Sequence, residues 1–187
     1  MKRIFTVFCV FSCCLFFCSK TEAQTFNPGD NVFNLSVGLG GDLYTGAGYS
    51  TTLPPIGLAF DHGLNARKWG IGGFIGVASA TYRYDYYGYG YDYWKYSYKI
   101  FGVRGTYHFY MKDNFDVYAG ALLGFNDVSV TFNGAYSDYG GVYTEGGSGL
   151  AFDIFVGGRY YFSPKVGVVA ELGYGIMFLS VGVTFKL

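Results

Sequence analysis

The chain has 187 residues, of which 51% are hydrophobic, 22% aromatic and 14% charged, with 30 glycines and 13 basic residues against 13 acidic ones. This profile excludes general disorder, which goes with few aromatics and much charge, and disfavours a nucleic-acid partner, which needs a basic excess to displace counterions from phosphate. The glycines keep no three-residue period, which excludes collagen, and so much Gly, Tyr and Phe leaves few helix formers.

Residues 1–23 read as a secretory signal that is cleaved after Ala23. Met1-Lys2-Arg3 is basic, Ile4 to Cys18 is an apolar run, and Thr21-Glu22-Ala23 ends in small residues of the kind a signal peptidase reads. A retained anchor is disfavoured, because the run falls short of the ~20 residues a spanning helix needs. All four cysteines (Cys9, Cys13, Cys14, Cys18) lie in this segment, so the mature chain has no disulfide and no thiolate ligand. A lipidated Cys18 is the alternative, against which stands the bulky Phe17. Cleavage removes three basic residues and one acidic, leaving 10 against 12 in residues 24–187. No second long apolar run follows, so any membrane insertion must use strands.

Period-two alternation then recurs eight times. Residues 32–40 set Phe33, Leu35, Val37 and Leu39 against Asn34, Ser36, Gly38 and Gly40. Residues 55–63 set Ile56, Leu58 and Phe60 against Gly57, Ala59, Asp61 and Gly63. Residues 69–82 are apolar on both faces, with Trp69, Ile71, Ile75 and Val77 taken as the outer set. Residues 97–110 oppose Phe101, Val103, Tyr107 and Phe109 to Gly102, Arg104, Thr106 and His108. Residues 115–126 oppose Phe115, Val117, Leu123 and Phe125 to Asp116, Tyr118, Gly120 and Gly124. Residues 149–162 oppose Phe152, Ile154, Val156, Tyr160 and Phe162 to Asp153, Phe155, Gly157, Arg159 and Tyr161. Residues 166–176 oppose Val166, Val168, Ala170, Leu172, Tyr174 and Ile176 to Gly167, Glu171, Gly173 and Gly175. Residues 179–187 oppose Leu179, Val181, Val183, Phe185 and Leu187 to Ser180, Gly182, Thr184 and Lys186. Such alternation is the signature of strands.

A spanning strand needs ~9–11 residues, so eight fit the mature length and sixteen do not. Residues 64–68, 111–114 and 163–165 are tight connections, whereas 41–54, 83–96 and 127–148 are longer and rich in Gly, Tyr, Ser, Thr and Asp. Short turns at one end and long loops at the other suit an up-and-down barrel. A soluble barrel would need a charged exterior. Here the polar faces carry mostly Gly, Ala, Ser and Thr, and the charges Arg104, Asp153, Arg159 and Glu171 share their parity. The reading is therefore apolar side out and polar side in, with aromatic belts of Trp69, Phe109, Tyr110, Phe115, Tyr160, Tyr161 and Phe162 near the tight turns. A secreted lipocalin-like barrel would leave the apolar rows in water.

The runs Gly157-Gly158-Arg159-Tyr160-Tyr161-Phe162 and Glu171-Leu172-Gly173-Tyr174-Gly175 resemble the small outer-membrane β-barrel domain family of Gram-negative bacteria, a porin-like group with OmpA- and OmpX-type eight-stranded barrels. The ending Gly182-Val183-Thr184-Phe185-Lys186-Leu187 resembles the C-terminal signal read by the barrel-assembly machinery, with Gly182, Phe185 and Leu187 as its marks. The family usually ends in an aromatic residue, from which Leu187 departs. The resemblance implies an all-β, eight-stranded antiparallel up-and-down transmembrane β-barrel in the outer membrane. Its partners would be membrane lipid, lipopolysaccharide and the assembly machinery.

The interior of eight strands is just wide enough for side chains to fill. The expected lumen holds ion pairs: Arg159 and Glu171 diagonal across one hairpin, Arg104 approaching from across the lumen, and Asp153 nearer the outer mouth. Residues 82–98 contain nine tyrosines. They suggest a projecting hairpin whose Tyr84, Tyr86, Tyr87, Tyr89, Tyr91, Tyr93 and Trp94 form a contact surface, since Tyr is a low-entropy amphipathic contact residue. Only His62 and His108 offer imidazole, and neither has Ser and a carboxylate at a spacing that forces a triad. Asp127, Asp138 and Glu145 lack any fixed calcium-ligand spacing. The expected role is structural, with surface interaction through the tyrosine-rich loop and no cofactor. A narrow porin and a lipid-modifying barrel enzyme are the alternatives.

Overall fold

A computed structural model of the protein describes residues 26–40, 49–65, 68–85, 91–133 and 144–187. Eight strands follow in order: β1 (Asn31–Leu39), β2 (Tyr49–Gly63), β3 (Trp69–Asp85), β4 (Tyr91–Lys112), β5 (Phe115–Asn133), β6 (Thr144–Tyr161), β7 (Val166–Tyr174) and β8 (Leu179–Lys186). Each pairs antiparallel with the next, and β1 pairs with β8 from Val32↔Lys186 to Leu39↔Leu179. Closure gives every strand two neighbours, the condition for strands to cross hydrocarbon.

Two local features depart from a plain ladder. The β2–β3 register shifts between Thr51 and Leu53 and again between Leu53 and Ile56, around Pro54 and Pro55. Proline has no N–H to give a ladder, so the strand passes it as a bulge instead of ending, and β2 begins at Tyr49 inside the expected 41–54 loop. On β4 the register skips Phe109 between His108 and Tyr110, so Phe109 and Tyr110 both face outward. The β4–β5 turn is Asp113-Asn114, where Asp113 takes φ 50°, a left-handed conformation that short polar side chains tolerate.

Side chains alternate as the hydrophobic pattern requires. Trp69, Ile71, Ile75 and Val77 are exposed on the exterior, as are Phe101, Val103, Leu123, Phe125, Phe152 and Ile154. Two assignments are corrected. Ile176 faces inward, because β7 ends at Tyr174 and Gly175, at φ 138°, turns the chain over the barrel mouth. Ile176 and Met177 then drop into the lumen, and Met177 Sδ occupies the space a Cβ on Gly38 would need. Tyr161 is fully buried on the inner face and is no part of the belt formed by Trp69, Phe109, Tyr110, Phe115, Tyr160 and Phe162.

The apolar band has the height of a bilayer core. It runs up β6 from Tyr160 to Leu150, ten residues at ~3.4 Å each and a tilt of ~40°, or about 25 Å. Its upper edge is the row Lys99↔Asp127↔Ser148. Strands β3 to β6, 17 to 22 residues long, continue beyond it, whereas β1, β7 and β8 have nine, nine and eight residues. Above that row the pattern inverts. Thr81, Arg83, Lys95, Ser97, Lys99, Asp127, Ser129 and Thr131 hold the outward parity, and Tyr82, Trp94, Tyr96, Tyr98, Val128, Val130 and Phe132 the inward one. Once a strand leaves hydrocarbon its outer face meets water, and the apolar side turns inward; Trp94 and Phe132 pack there with ring centroids 4.5 Å apart.

Candidate functional site: a filled polar lumen

The lower lumen is a connected charge cluster. Asp61 on β2, Arg104 and His108 on β4, Asp116 and Tyr118 on β5, Arg159 on β6 and Glu171 on β7 all sit on the inward parity. Arg104 Nη2 donates to Glu171 Oε1 at 2.8 Å, and Tyr118 Oη donates to the same oxygen at 2.6 Å. Arg104 Nε also stands 3.0 Å from Asp61 Oδ1, an ion pair rather than an aligned hydrogen bond. Arg159 donates through Nη2 to Asp61 Oδ2 and through Nη1 to Asp116 Oδ2 at 3.3 Å. Three carboxylates therefore face two guanidiniums and one imidazole. Buried charges require such pairing, because desolvation of an ion carries a penalty of several kcal/mol.

Aromatic rings and glycines make room for the cluster. Arg159 Cζ lies 4.3 Å from the Tyr118 ring centroid and Arg104 Cζ 4.4 Å from that of Phe155, distances at which cation–π attraction acts. A Cβ on Gly157 would collide with the Tyr118 ring, and one on Gly120 with Phe155. Gly72 separates Asp61 and Arg104 in the ladder, leaving the gap across which they pair. Gly157 and Gly120 are thus the complement of the large inward rings.

Both ends of the lumen are stoppered. At the end with the tight turns, Phe26 is buried and stacks on His108, with centroids 3.9 Å apart and planes within 8°. Its segment is tied down by Gly29 N–H to Gly63 O at 2.8 Å and by Lys186 Nζ 3.5 Å from Asp30. At the other end Ile176 and Met177 join Ala59, Phe74, Ile100, Leu122, Ala151 and Phe155 in an apolar layer.

The sequence reading placed Arg104, Arg159 and Glu171 inward, and they are, but with different partners. Arg159 engages Asp61 and Asp116 rather than Glu171, which belongs to Arg104 and Tyr118. Asp153 forms no ion pair among the described residues; its carboxylate lies over Gly173 and faces backbone N–H groups of the β7–β8 turn. Asp61 and Asp116 are ion-pair members beyond the four expected residues, and their inward parity carries the same sequence signal. Thr106 Oγ1, His108 and Asp116 fall in the order of a hydrolytic triad, with His108 Nε2 3.1 Å from the hydroxyl and Nδ1 2.7 Å from Asp116. All three are buried, Phe26 covers the imidazole, and Arg159 donates to the far carboxylate oxygen. His62 instead sits near the rim, 3.0 Å from Asn31 Oδ1.

Of the tyrosine-rich residues, the ladder pairs Tyr84 with Asp92, Trp94 with Tyr82, Tyr91 with Asp85 and Tyr93 with Arg83. Tyr86, Tyr87 and Tyr89 lie outside the described residues, as does Asp138. Asp127 stands 4.0 Å from Lys99. At the C-terminus, Phe185 pairs with Phe33 on the exterior, Leu187 is exposed, and a Cβ on Gly182 would run into the backbone of Leu35 and Ser36.

A closed barrel of eight antiparallel strands, apolar outside and filled with paired charges inside, defines the class: a small transmembrane β-barrel. The chain shares its fold with the outer membrane protein OprG of Pseudomonas aeruginosa (TM-score 0.58, 14% identity, 89% of this chain and 99% of that one). It is also similar to a de novo designed transmembrane β-barrel (TM-score 0.50, 11% identity, 88% and 99%). A third similarity is to Ail, the attachment invasion locus protein of Yersinia pestis, in complex with the heparin analogue sucrose octasulfate (TM-score 0.49, 13% identity, 85% and 95%). No protein-family model and no curated protein sequence matches the chain.

Proposed function

We propose that the protein is an outer-membrane barrel with a closed lumen, structural in its membrane part and surface-interacting in its projecting hairpins. The observation that carries this reading is the filling of the lumen, in which Arg159, Tyr118 and His108 are fully buried between two stoppers. A porin needs a continuous water path, and a barrel enzyme needs a substrate path to a nucleophile. The buried cluster speaks against both. In this reading the tight turns and Phe26 lie at the periplasmic end and the long hairpins outside the cell. The Tyr-rich β3–β4 hairpin, paired as far as Asp85↔Tyr91, supplies the contact surface, and Gly182, Phe185 and Leu187 serve assembly.

Conductance tests the closed lumen. Purified, refolded protein in a planar bilayer should give no stable conductance steps. The Phe26→Ala variant should stay closed as well, because the Arg104–Asp61–Arg159 bridge lies behind that stopper. Discrete open levels from the wild-type protein would make it the narrow porin instead. The contact surface is tested by replacing Tyr84, Tyr86, Tyr87, Tyr89, Tyr91 and Tyr93 with Ser, with Trp94, which packs inward on Phe132, left in place. Binding of cells to glycan arrays or host-cell layers should drop at least several-fold, and unchanged binding would remove the adhesive role.

A further inference from the structure

We infer that the outer face of β3–β5 is a specific site for a phosphorylated glycolipid of the outer leaflet, holding one acyl chain in a groove and the headgroup on a cationic ladder above it. The inference rests on the outer-membrane orientation proposed above and goes beyond it by naming a site.

The groove comes first. An apolar hollow of about 680 Å³ lies on the exterior of the barrel, among Phe60, Gly73, Ile75, Phe101, Val103 and Phe125. Its floor is Gly73, an outward position whose ladder partners Phe60 and Val103 and same-strand neighbours Ile71 and Ile75 are all large. A Cβ there would meet only a carbonyl oxygen, at 3.7 Å, so the missing side chain leaves open space rather than relieving a clash. Gly105 nearby also points outward with nothing within 4 Å. This contrasts with the inward Gly72, Gly102 and Gly124, whose added Cβ would collide with backbone. An outward glycine in a strand marks a place where something else comes close. At this depth in the bilayer the neighbour is hydrocarbon, and the open space matches an acyl chain.

The headgroup site lies along the same strands. Directly above Phe101, two residues or ~7 Å up β4, is Lys99, with a strongly exposed side chain. Lys95 follows on the same face, and Arg83 stands diagonally across the ladder from it, since Lys95 pairs with Thr81 and Tyr93 with Arg83. Diagonal neighbours lie ~7–8 Å apart, within reach of one phosphate. Thr81, Thr131, Ser97 and Ser129 put hydroxyls between the cations, and Thr52 Oγ1 meets Thr81 Oγ1 at 2.7 Å. Among the described side chains, the acid on this parity is Asp127, whose 4.0 Å separation leaves Lys99 able to take a second partner. With Lys99 at the rim of an acyl-sized groove, and Lys95 and the Arg83 rung four and six residues further up β4, or ~14 and ~20 Å along the strand, the column fits a ligand with anionic groups, sugar hydroxyls and hydrocarbon in that order. A phospholipid would satisfy the groove and one cation but would not span the ladder from Lys99 to Arg83.

The test is native mass spectrometry of the refolded mature barrel released from detergent micelles, with bis-phosphorylated lipid A as probe and dephosphorylated lipid A and phosphatidylglycerol as comparators. The wild-type protein should retain one lipid A, at least tenfold better than either comparator. The triple variant R83S/K95S/K99S and the groove-filling variant Gly73→Phe should each reduce retention about tenfold. All the substitutions sit on outward positions, and the heat-dependent shift in gel mobility verifies that each variant is folded. Equal retention by wild type and both variants, or equal retention of phosphatidylglycerol, would overturn the site while leaving the barrel intact. Loss of the heat-dependent shift in the wild-type protein would instead sink the membrane-barrel reading.

Discussion

Replacing Arg159 with Ala should destabilise the barrel by about 3–5 kcal/mol, the range for removing one partner of a buried ion pair. Arg159 is fully buried and holds both Asp61 and Asp116, so its loss strands two fully buried carboxylates. It also removes the cation stacked on Tyr118. Glu171→Ala should have a smaller effect, about 1–3 kcal/mol, because the Glu171 side chain is 13% exposed and Arg104 keeps Asp61 after the change. Urea unfolding in lipid vesicles, followed by tryptophan fluorescence and gel mobility, measures both. The ranking is the sharp part of the expectation. If Glu171→Ala proved the more damaging change, the cluster would be organised around Arg104 and not around Arg159.

The second large effect concerns the exterior. Ile154 is 64% exposed, and in a water-soluble protein Ile154→Lys at so open a position would change stability by no more than ~0.5 kcal/mol. Ile154 lies about midway between Tyr160 in the lower belt and Ser148 in the upper row. A lysine there should destabilise the inserted barrel by about 2–4 kcal/mol, whereas Ser148→Lys, at the boundary beside Asp127, should cost no more than ~1 kcal/mol. The comparison needs no assumption about absolute stability. Equal tolerance at the two positions would mean that the apolar belt does not face hydrocarbon.

Most of the fold was legible from periodicity. Alternation over two residues decides which side chains share a face, and that rule placed the eight strands, the outer rows and the inward charges. It failed at strand ends. Ile176 kept the outward parity in sequence, but Gly175 had already turned the chain, and the hydrophobic side chain went to the lumen. Tyr161 was grouped with its belt neighbours by position along the chain, whereas its parity pointed inward. The loops near 49–54, 91–96 and 127–133 looked like connections because their outward positions are polar. They are strands, and along β4 and β5 the amphipathic sense has reversed outside the apolar band, with Trp94, Tyr96, Tyr98 and Phe132 on the inner side.

By itself the sequence determined the number of strands, the lipid-facing set and the inward set, since each follows from local alternation and a length limit. Only the tertiary structure decided who pairs with whom. Arg159 and Asp61 are 98 residues apart, and they meet because the barrel closes and its register brings β2 and β6 to the same height across the lumen. Period two assigns a face but carries no information about the partner opposite, so the cluster, its two stoppers and the blocked Thr106–His108–Asp116 line had to come from the closed barrel.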